Sequence, residues 1–221
     1  MTLLRFVSSE RTMQPGKIIC LGRNYPEHAR EMKAEVPTTP VLFLKPASAL
    51  LEPGGIVRIP SFSSELHHEV EMVLLIGRQG TDIPAERAAS YVEGYAVGLD
   101  MTLRDVQAEA KKKGLPWSVS KGFDTSAPLS PFVAAETIAD PHALDISLRV
   151  NGVMRQHSNT RQMLFRIETM LAYISSVFTL EPGDLVFTGT PEGVGPAQPG
   201  DVLTAELQNV GTLTVTVGRR D

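Results

Sequence analysis

Apolar residues in this chain fall mostly into short runs closed by glycine or proline, which is the pattern of buried strands. Lys17-Ile18-Ile19-Cys20-Leu21 before Gly22, and Val41-Leu42-Phe43-Leu44-Lys45 before Pro46, are two of them. A third opens His67-His68-Glu69-Val70-Glu71 and continues as Met72-Val73-Leu74-Leu75-Ile76 to Gly77. Residues 91–100 predict a strand that ends on Asp100. Asn151-Gly152, between Ser147-Leu148-Arg149-Val150 and Val153-Met154, is the strongest short-range hairpin signal, because both turn positions require positive φ. Residues 184–188, 202–207 and 212–217 return to strand around a glycine-rich loop, Gly189-Thr190-Pro191-Glu192-Gly193-Val194-Gly195. That loop lacks the Gly-Lys-Ser/Thr ending of a phosphate-binding loop and opens no helix.

Helical spacing is rarer. Leu164, Ile167, Leu171, Ile174 and Phe178 form an apolar stripe that predicts a helix over residues 162–178. Pro26 suits a first helical turn and predicts a short helix over residues 27–32; another is expected over 84–89. Thr102 with Asp105 three further on reads as an N-cap, and Gly114 after Lys111-Lys112-Lys113 as a stop, so a helix spans residues 103–113. The three lysines read as a solvated helix end favoured by the dipole. Residues 1–15 predict a strand followed by a polar turn, and residues 48–55 a turn-rich stretch. Strands outnumber helices and come in hairpins and turn-separated runs, so the expected class is α+β, mainly β, with sheets rolled around one core. The expected division is an N-terminal strand or extension over residues 1–16 and a single domain over 17–221.

Composition narrows the functions. A chain of 221 residues, 42% hydrophobic, can bury a sizeable core. Lys+Arg 21 against Asp+Glu 25 gives a net charge of -4 with no long basic run, so the electrostatic footprint for nucleic acid or an anionic membrane is missing. The expected partner is a small molecule. Apolar runs are too short for a membrane span, and the start of the chain has no signal-peptide pattern, so a soluble, cytoplasmic protein is expected. Cys20 is the one cysteine, which excludes an internal disulfide, and its apolar run makes it a small buried hydrophobe.

Glu69 and Glu71, two apart on a strand, share a face. Burying two carboxylates together is costly unless a positive charge sits between them; the other reading is an edge strand with both in water. Asp100 is a third candidate for one site, and all-oxygen ligation suits a hard cation, Mg²⁺ with Mn²⁺ or Ca²⁺ as substitutes. His67 and His68 raise an iron or zinc site as a rival, weakened because adjacent strand residues face opposite ways. His28 and Glu31, three apart on the short helix, could be a general base and its orienting carboxylate or only a surface ion pair. Arg104 and Gln107, just after Asp100, would stand over a metal held there, and Lys121 is an isolated cation beyond a helix stop.

The motifs now stand in a recognisable order: Gly22-Arg23-Asn24-Tyr25 with His28 and Glu31, Leu42-Phe43-Leu44-Lys45-Pro46, His67-His68-Glu69-Val70-Glu71, Leu99-Asp100-Met101-Thr102 with Arg104 and Gln107, Lys121, and Thr188-Gly189-Thr190-Pro191-Glu192-Gly193-Val194-Gly195. Over residues 17–217 the chain resembles the fumarylacetoacetate hydrolase family, and within it the acylpyruvase and oxaloacetate decarboxylase branch. The resemblance implies a mixed β-sandwich roll with a few short helices, usually a homodimer, with Mg²⁺ on Glu69, Glu71 and Asp100. It implies that His28 and Glu31 form the catalytic dyad, that Lys121 and Gln107 assist at the reacting carbonyl, and that Arg23, Asn24, Arg104 and Thr190 bind substrate. Pro26 and Gly122 depart from the residues common in the family and could stiffen the dyad helix and loosen the lysine loop. The activity implied is metal-dependent hydrolysis of a carbon–carbon bond in 2,4-dioxo acids of acylpyruvate or fumarylpyruvate type, through a pyruvate enolate. Oxaloacetate decarboxylation or tautomerisation, and isomerisation or decarboxylation of aromatic-degradation dicarboxylates, are alternatives at the same site. The last would need further cations at the pocket mouth, for which Arg104, Arg155 and Arg161 are candidates. A non-catalytic domain with a structural ion is the remaining alternative.

Overall fold

Apolar residues that run without alternation need a sheet covered on both faces. Six strands meet that need, in the order Val133–Ala134, Val92–Leu99, Val70–Ile76, Leu185–Phe187, Ile18–Gly22 and Val41–Lys45. Ile19, Leu21, Met72, Leu74 and Val97 face the larger core, whereas Ile18, Cys20, Val73, Leu75 and Ala96 face a smaller one behind. All pairs are antiparallel except Leu185–Phe187 beside Ile18–Gly22. These relations come from a computed structural model that describes residues 2–7, 9–32 and 35–220. A second sheet of five strands, ordered Val153–Asn159, Asp145–Val150, Val202–Leu207, Gly211–Arg219 and Ile56–Ile59, closes the larger core with Ile146, Leu148, Leu203 and Val215. The architecture is the strand-dominated α+β roll expected. Asn151 and Gly152 take φ of 51° and 78°, the double positive φ that the hairpin requires.

Several elements differ from expectation. The N-terminal stretch is a paired hairpin, Leu4–Phe6 with Ser9–Met13. Phe132 ties it to the roll: Val7 N donates to Phe132 O at 2.9 Å and Phe132 N to Arg5 O at 2.8 Å. The C-terminal helix begins at Ile167, not at residue 162. The stretch before it is tied to Asn24, whose O and Oδ1 accept from Leu164 N at 2.8 Å and Phe165 N at 2.7 Å, and Arg166 is extended at ψ 160° and caps the helix. Thr102 is not the N-cap of the helix Arg104–Lys113; its hydroxyl donates back to Asp100 O, while Asp105 accepts from Val106 N and Ser64 N, both at 2.8 Å. Gly114 stops that helix at φ 65°, as expected. Lys121 closes a four-residue helix, Ser118–Lys121, rather than sitting in a loop. The glutamate strand is broken in two: Leu66–His68 joins Thr102–Leu103 and Gly195–Ala197 in a small sheet, and Val70–Ile76 belongs to the large one. Glu69 lies at the junction. Among the described residues no helix is long and apolar enough to cross a membrane.

Candidate active site

The junction at Glu69 creates the site. Val70 pairs with Leu99 and Glu71 with Gly98, and Asp100 N donates to Glu69 O at 2.8 Å, so the strand ends present Glu69, Glu71 and Asp100 to one another. Each offers an oxygen within 4.8 Å of the others, and all three are buried. Among the described residues Glu71 accepts one hydrogen bond, from the Gly189 amide to Oε2 at 2.7 Å, and the Lys121 charge lies near it. Burial and the neighbouring Asp100 and Glu69 therefore push its carboxyl well above the usual range. Burial pushes Glu69 the same way, but Lys121 and Arg104 outweigh it and hold Glu69 well below that range. Arg104 Nη2 stands 2.5 Å from Glu69 Oε1, and Lys121 Nζ 2.8 Å from Glu69 Oε2 and 2.6 Å from Asp100 Oδ2. Asp100 Oδ1 is 2.8 Å from Lys45 Nζ without hydrogen-bond geometry and has no other partner among the described residues. Three convergent buried carboxylates with one oxygen unbonded and one group unmatched in charge fit a hard divalent cation.

The cations were only partly legible. Lys45 is the addition: its Nζ, sealed from solvent, also donates to Ser126 O at 3.0 Å, Ser126 Oγ at 3.1 Å and Lys121 O. The signal was a lysine ending an apolar run, which looks identical to a solvated strand end. Lys121 Nζ also lies 4.9 Å from the centre of the Phe43 ring.

His28 rides on the helix Pro26–Glu31 and is 6% exposed. Its Nδ1 is 3.5 Å from Glu31 Oε2, an ion-pair distance whose angles do not make a hydrogen bond. Burial lowers the His28 pKa, opposed by Glu69 and Glu31, so the imidazole is neutral near neutral pH and able to accept a proton. Both Glu31 oxygens accept from Gly193 N at 3.2 Å, which ties the dyad helix to the glycine-rich loop. That loop needs its glycines. Gly189 at φ +94° would place a Cβ 2.6 Å from Asn24 Cβ, and Gly193 at φ +88° one 2.1 Å from Arg155 O. Gln156, unremarked in the sequence, holds the loop's other side: Nε2 donates to Thr190 Oγ1 at 2.8 Å and Pro191 O at 2.9 Å, and Oε1 accepts from Val70 N at 3.0 Å.

These groups surround a cavity of about 270 Å³. Glu69, Glu71, Arg104, Gln107, Lys121 and Thr190 line it, together with His28 and Arg23. Gln107 Oε1 accepts from Arg104 Nη1 at 2.7 Å, which leaves its amide nitrogen for the cavity. His67 and His68 do not converge: Nε2 of His67 stands 2.9 Å from Glu65, and Nδ1 of His68 is 3.2 Å from Gln156 on the other side. Glu69, Glu71 and Asp100 are the one set of three metal-ligating side chains so gathered among the described residues.

Residues 17–218 match the family described as fumarylacetoacetate (FAA) hydrolase, C-terminal. The chain belongs to the fumarylacetoacetate hydrolase family. It is 48% identical to an uncharacterised protein of Pyrococcus abyssi, covering 100% of this chain and 98% of that one. It is also 48% identical to the mitochondrial oxaloacetate tautomerase of Mus musculus, covering 92% of each. Among solved structures, it superposes with a TM-score of 0.96 and 40% identity on a fumarylpyruvate hydrolase from Pseudomonas aeruginosa in complex with Mn²⁺ and pyruvate, covering 99% of this chain and 96% of that one. A 5-carboxymethyl-2-hydroxymuconate delta-isomerase from Mycobacterium smegmatis matches with a TM-score of 0.85 at 40% identity, over 95% and 81% of the two chains.

Within this fumarylacetoacetate hydrolase roll, Asn24 is fully buried and is not among the residues that line the cavity; its Nδ2 donates to Thr188 O at 2.7 Å and Phe165 O at 3.2 Å, which staples the loop. Lys111, exposed at the helix end as expected, also lines the cavity. Arg155 and Arg161 line other surface hollows, away from it.

Proposed function

We propose that the protein is a divalent-metal-dependent enzyme that hydrolyses a carbon–carbon bond in 2,4-dioxo acids, with Mg²⁺ or Mn²⁺ held by Glu69, Glu71 and Asp100. One observation carries the reading: a buried, neutral His28 opens into the same cavity as Glu69 and Glu71 of that carboxylate set. A bound divalent ion would supply positive charge against the substrate's carboxylate and 2-oxo oxygens, lowering the cost of negative charge there. Arg104 and Thr190, on the cavity wall, orient the acid. His28 takes a proton from a water whose oxygen adds to the carbonyl at C4, and Glu31 stabilises the imidazolium that results. The Lys121 ammonium and the free Gln107 amide donate to the developing oxyanion. The C3–C4 bond then breaks, its electron pair moves toward the 2-oxo oxygen, and a proton returned to C3 gives pyruvate and the second acid.

Neighbours with hydrolase, tautomerase and isomerase names support a shared proton-moving site, and 48% identity to an oxaloacetate tautomerase makes oxaloacetate tautomerisation the second reading. Decarboxylation of oxaloacetate needs no base to form its enolate, so His28 favours hydrolysis or proton transfer. A homodimer belongs to the same reading, supported by Phe62, Leu115 and Val119, which stand exposed around one apolar hollow; sedimentation equilibrium tests it. A cytoplasmic setting accords with a small-molecule substrate, and fractionation of the source cells tests that. Supplying acetylpyruvate, fumarylpyruvate and oxaloacetate separately, with Mg²⁺, Mn²⁺ or EDTA, tests the chemistry. Metal-dependent pyruvate release from the dioxo acids is expected; tautomer exchange of oxaloacetate without release from either dioxo acid would leave the second reading standing alone.

A further inference from the structure

On the edge strand Val153–Asn159 the fully buried position is taken by a glutamine. Val153, Met154, Arg155 and His157 are exposed, whereas Gln156 is sealed opposite Leu148, a residue of the larger core. A buried amide is costly unless its donors and acceptors are met. Here they are: Nε2 donates to Thr190 Oγ1 at 2.8 Å and to Pro191 O at 2.9 Å, while Oε1 accepts from Val70 N at 3.0 Å and stands 3.2 Å from His68 Nδ1. Two of these partners settle which end of the amide is which, because the Val70 N–H can only donate and the Pro191 carbonyl can only accept. The Thr190 oxygen is therefore the acceptor of its bond with Gln156.

The consequence falls on one proton. With its oxygen turned to the Gln156 amide, the Thr190 hydroxyl must point its hydrogen elsewhere, and among the described residues that hydrogen has no acceptor. The loop is not free to turn and find one, since Asn24 holds Thr188 O, Glu71 holds Gly189 N and Glu31 holds Gly193 N. Thr190 lines the cavity, whereas Gln156 does not. We propose that Gln156 is a positioning residue for the reaction: it turns the Thr190 proton into the cavity, where the carboxylate of a bound 2-oxo acid accepts it. Its hold on Val70, the residue between Glu69 and Glu71, keeps that donor in register with two of the metal-ligating acids. The proposal rests on the metal-dependent 2-oxo acid reading above. A hydroxyl whose oxygen is already engaged meets an anion without first having to reorient, which favours a charge-assisted bond.

The test is a double-mutant cycle between Gln156→Met and Thr190→Val in the full chain at saturating Mn²⁺, read as pyruvate affinity by calorimetry and as kcat/KM for acetylpyruvate. Each single variant should weaken pyruvate binding by about tenfold or more, the worth of one hydrogen bond to a charged group, and should raise KM more than it lowers kcat. In the Thr190→Val background Gln156→Met should add little, because the hydroxyl it directs is gone. Thr190→Ser, which keeps the hydroxyl, should restore most of the affinity, and only while Gln156 is in place. Should Gln156→Met not fold, Gln156→Asn takes its place in the cycle, being one methylene too short to hold Val70 and Thr190 together. Losses that simply add in the double variant make Gln156 a structural residue and overturn the assignment while leaving the general reading intact. So does a Thr190→Val protein that binds pyruvate as tightly as wild type. If the wild-type protein with Mn²⁺ neither binds pyruvate nor cleaves acetylpyruvate, the general reading fails and this proposal with it.

Discussion

His28 carries the chemistry proposed here, so it carries the sharpest tests at the residue scale. His28→Ala should lose about 10²–10⁴-fold in acetylpyruvate cleavage, the usual worth of a positioned base, while Mn²⁺ uptake measured by calorimetry is kept. Because burial depresses its pKa, the acid limb of kcat/KM should lie below the ordinary ~6.5 of histidine. Glu31 raises that pKa, so Glu31→Gln should carry the limb lower still; a limb moving up with pH would sink the dyad. Lys45 makes a different prediction. Its ammonium is sealed beside Asp100, so Lys45→Met leaves that carboxylate short of a partner and should destabilise the metal-free protein by about 3–5 kcal/mol, read from denaturant unfolding in EDTA. The carboxylates were legible in the sequence because acids inside apolar strands demand an explanation. Lys45 was not, since nothing local distinguishes a buried lysine at the end of a strand from a solvated one. Asn24 was legible as a motif member but not in its task, which depends on partners at positions 165 and 188.

At the scale of elements, the glycine-rich loop is where backbone geometry and site chemistry meet. Gly189 has φ +94°, no room for a Cβ against Asn24, and an amide that serves Glu71. Gly189→Ala should therefore cost about 1–3 kcal/mol from the strained backbone alone and weaken Mn²⁺ binding as the amide shifts, measured by unfolding and by metal titration on the same sample. A variant that unfolds more easily yet binds Mn²⁺ as tightly as wild type would separate the loop from the metal site. Most elements were legible because apolar runs and their glycine or proline stops are local. Two were misjudged for reasons that lie far off in the chain. The helix starts only at Ile167, after a stretch bound to Asn24, 141 positions from Phe165. The glutamate strand is divided because Leu66–His68 pairs with Thr102–Leu103 and Gly195–Ala197, and that break, invisible in an unbroken apolar pattern, is what gathers the acids.

For the whole molecule, folding forces Glu69, Glu71 and Asp100 into one buried place, so the acids couple stability to pH and to metal. The fold class was legible, but the strand order that closes this centre was not, because it joins strands such as Ile18–Gly22 and Leu185–Phe187 from opposite ends of the chain. Glu71 has its folded pKa raised, so its contribution is fully present below the unfolded value of about 4.3 and is lost as pH climbs through the raised one. Glu69 has its folded pKa lowered, so its contribution is present above that same value of about 4.3 and is lost only in acid below it. His28, His67 and His68, all depressed chiefly by burial, add an opposite slope, losing stability as pH falls below about 6.5. The metal-free profile therefore mixes signs. The difference between metal-loaded and metal-free protein is cleaner, because a divalent ion takes the place of the proton on Glu71 and removes the repulsion that raised its pKa. The rise in Tm given by saturating Mn²⁺ over EDTA should grow as pH rises above the ordinary carboxylate range, since ions bound only to the native state stabilise it in proportion to their affinity. Differential scanning calorimetry measures it, and a gap that stays flat or narrows would mean that no bound ion takes the place of a proton on Glu71.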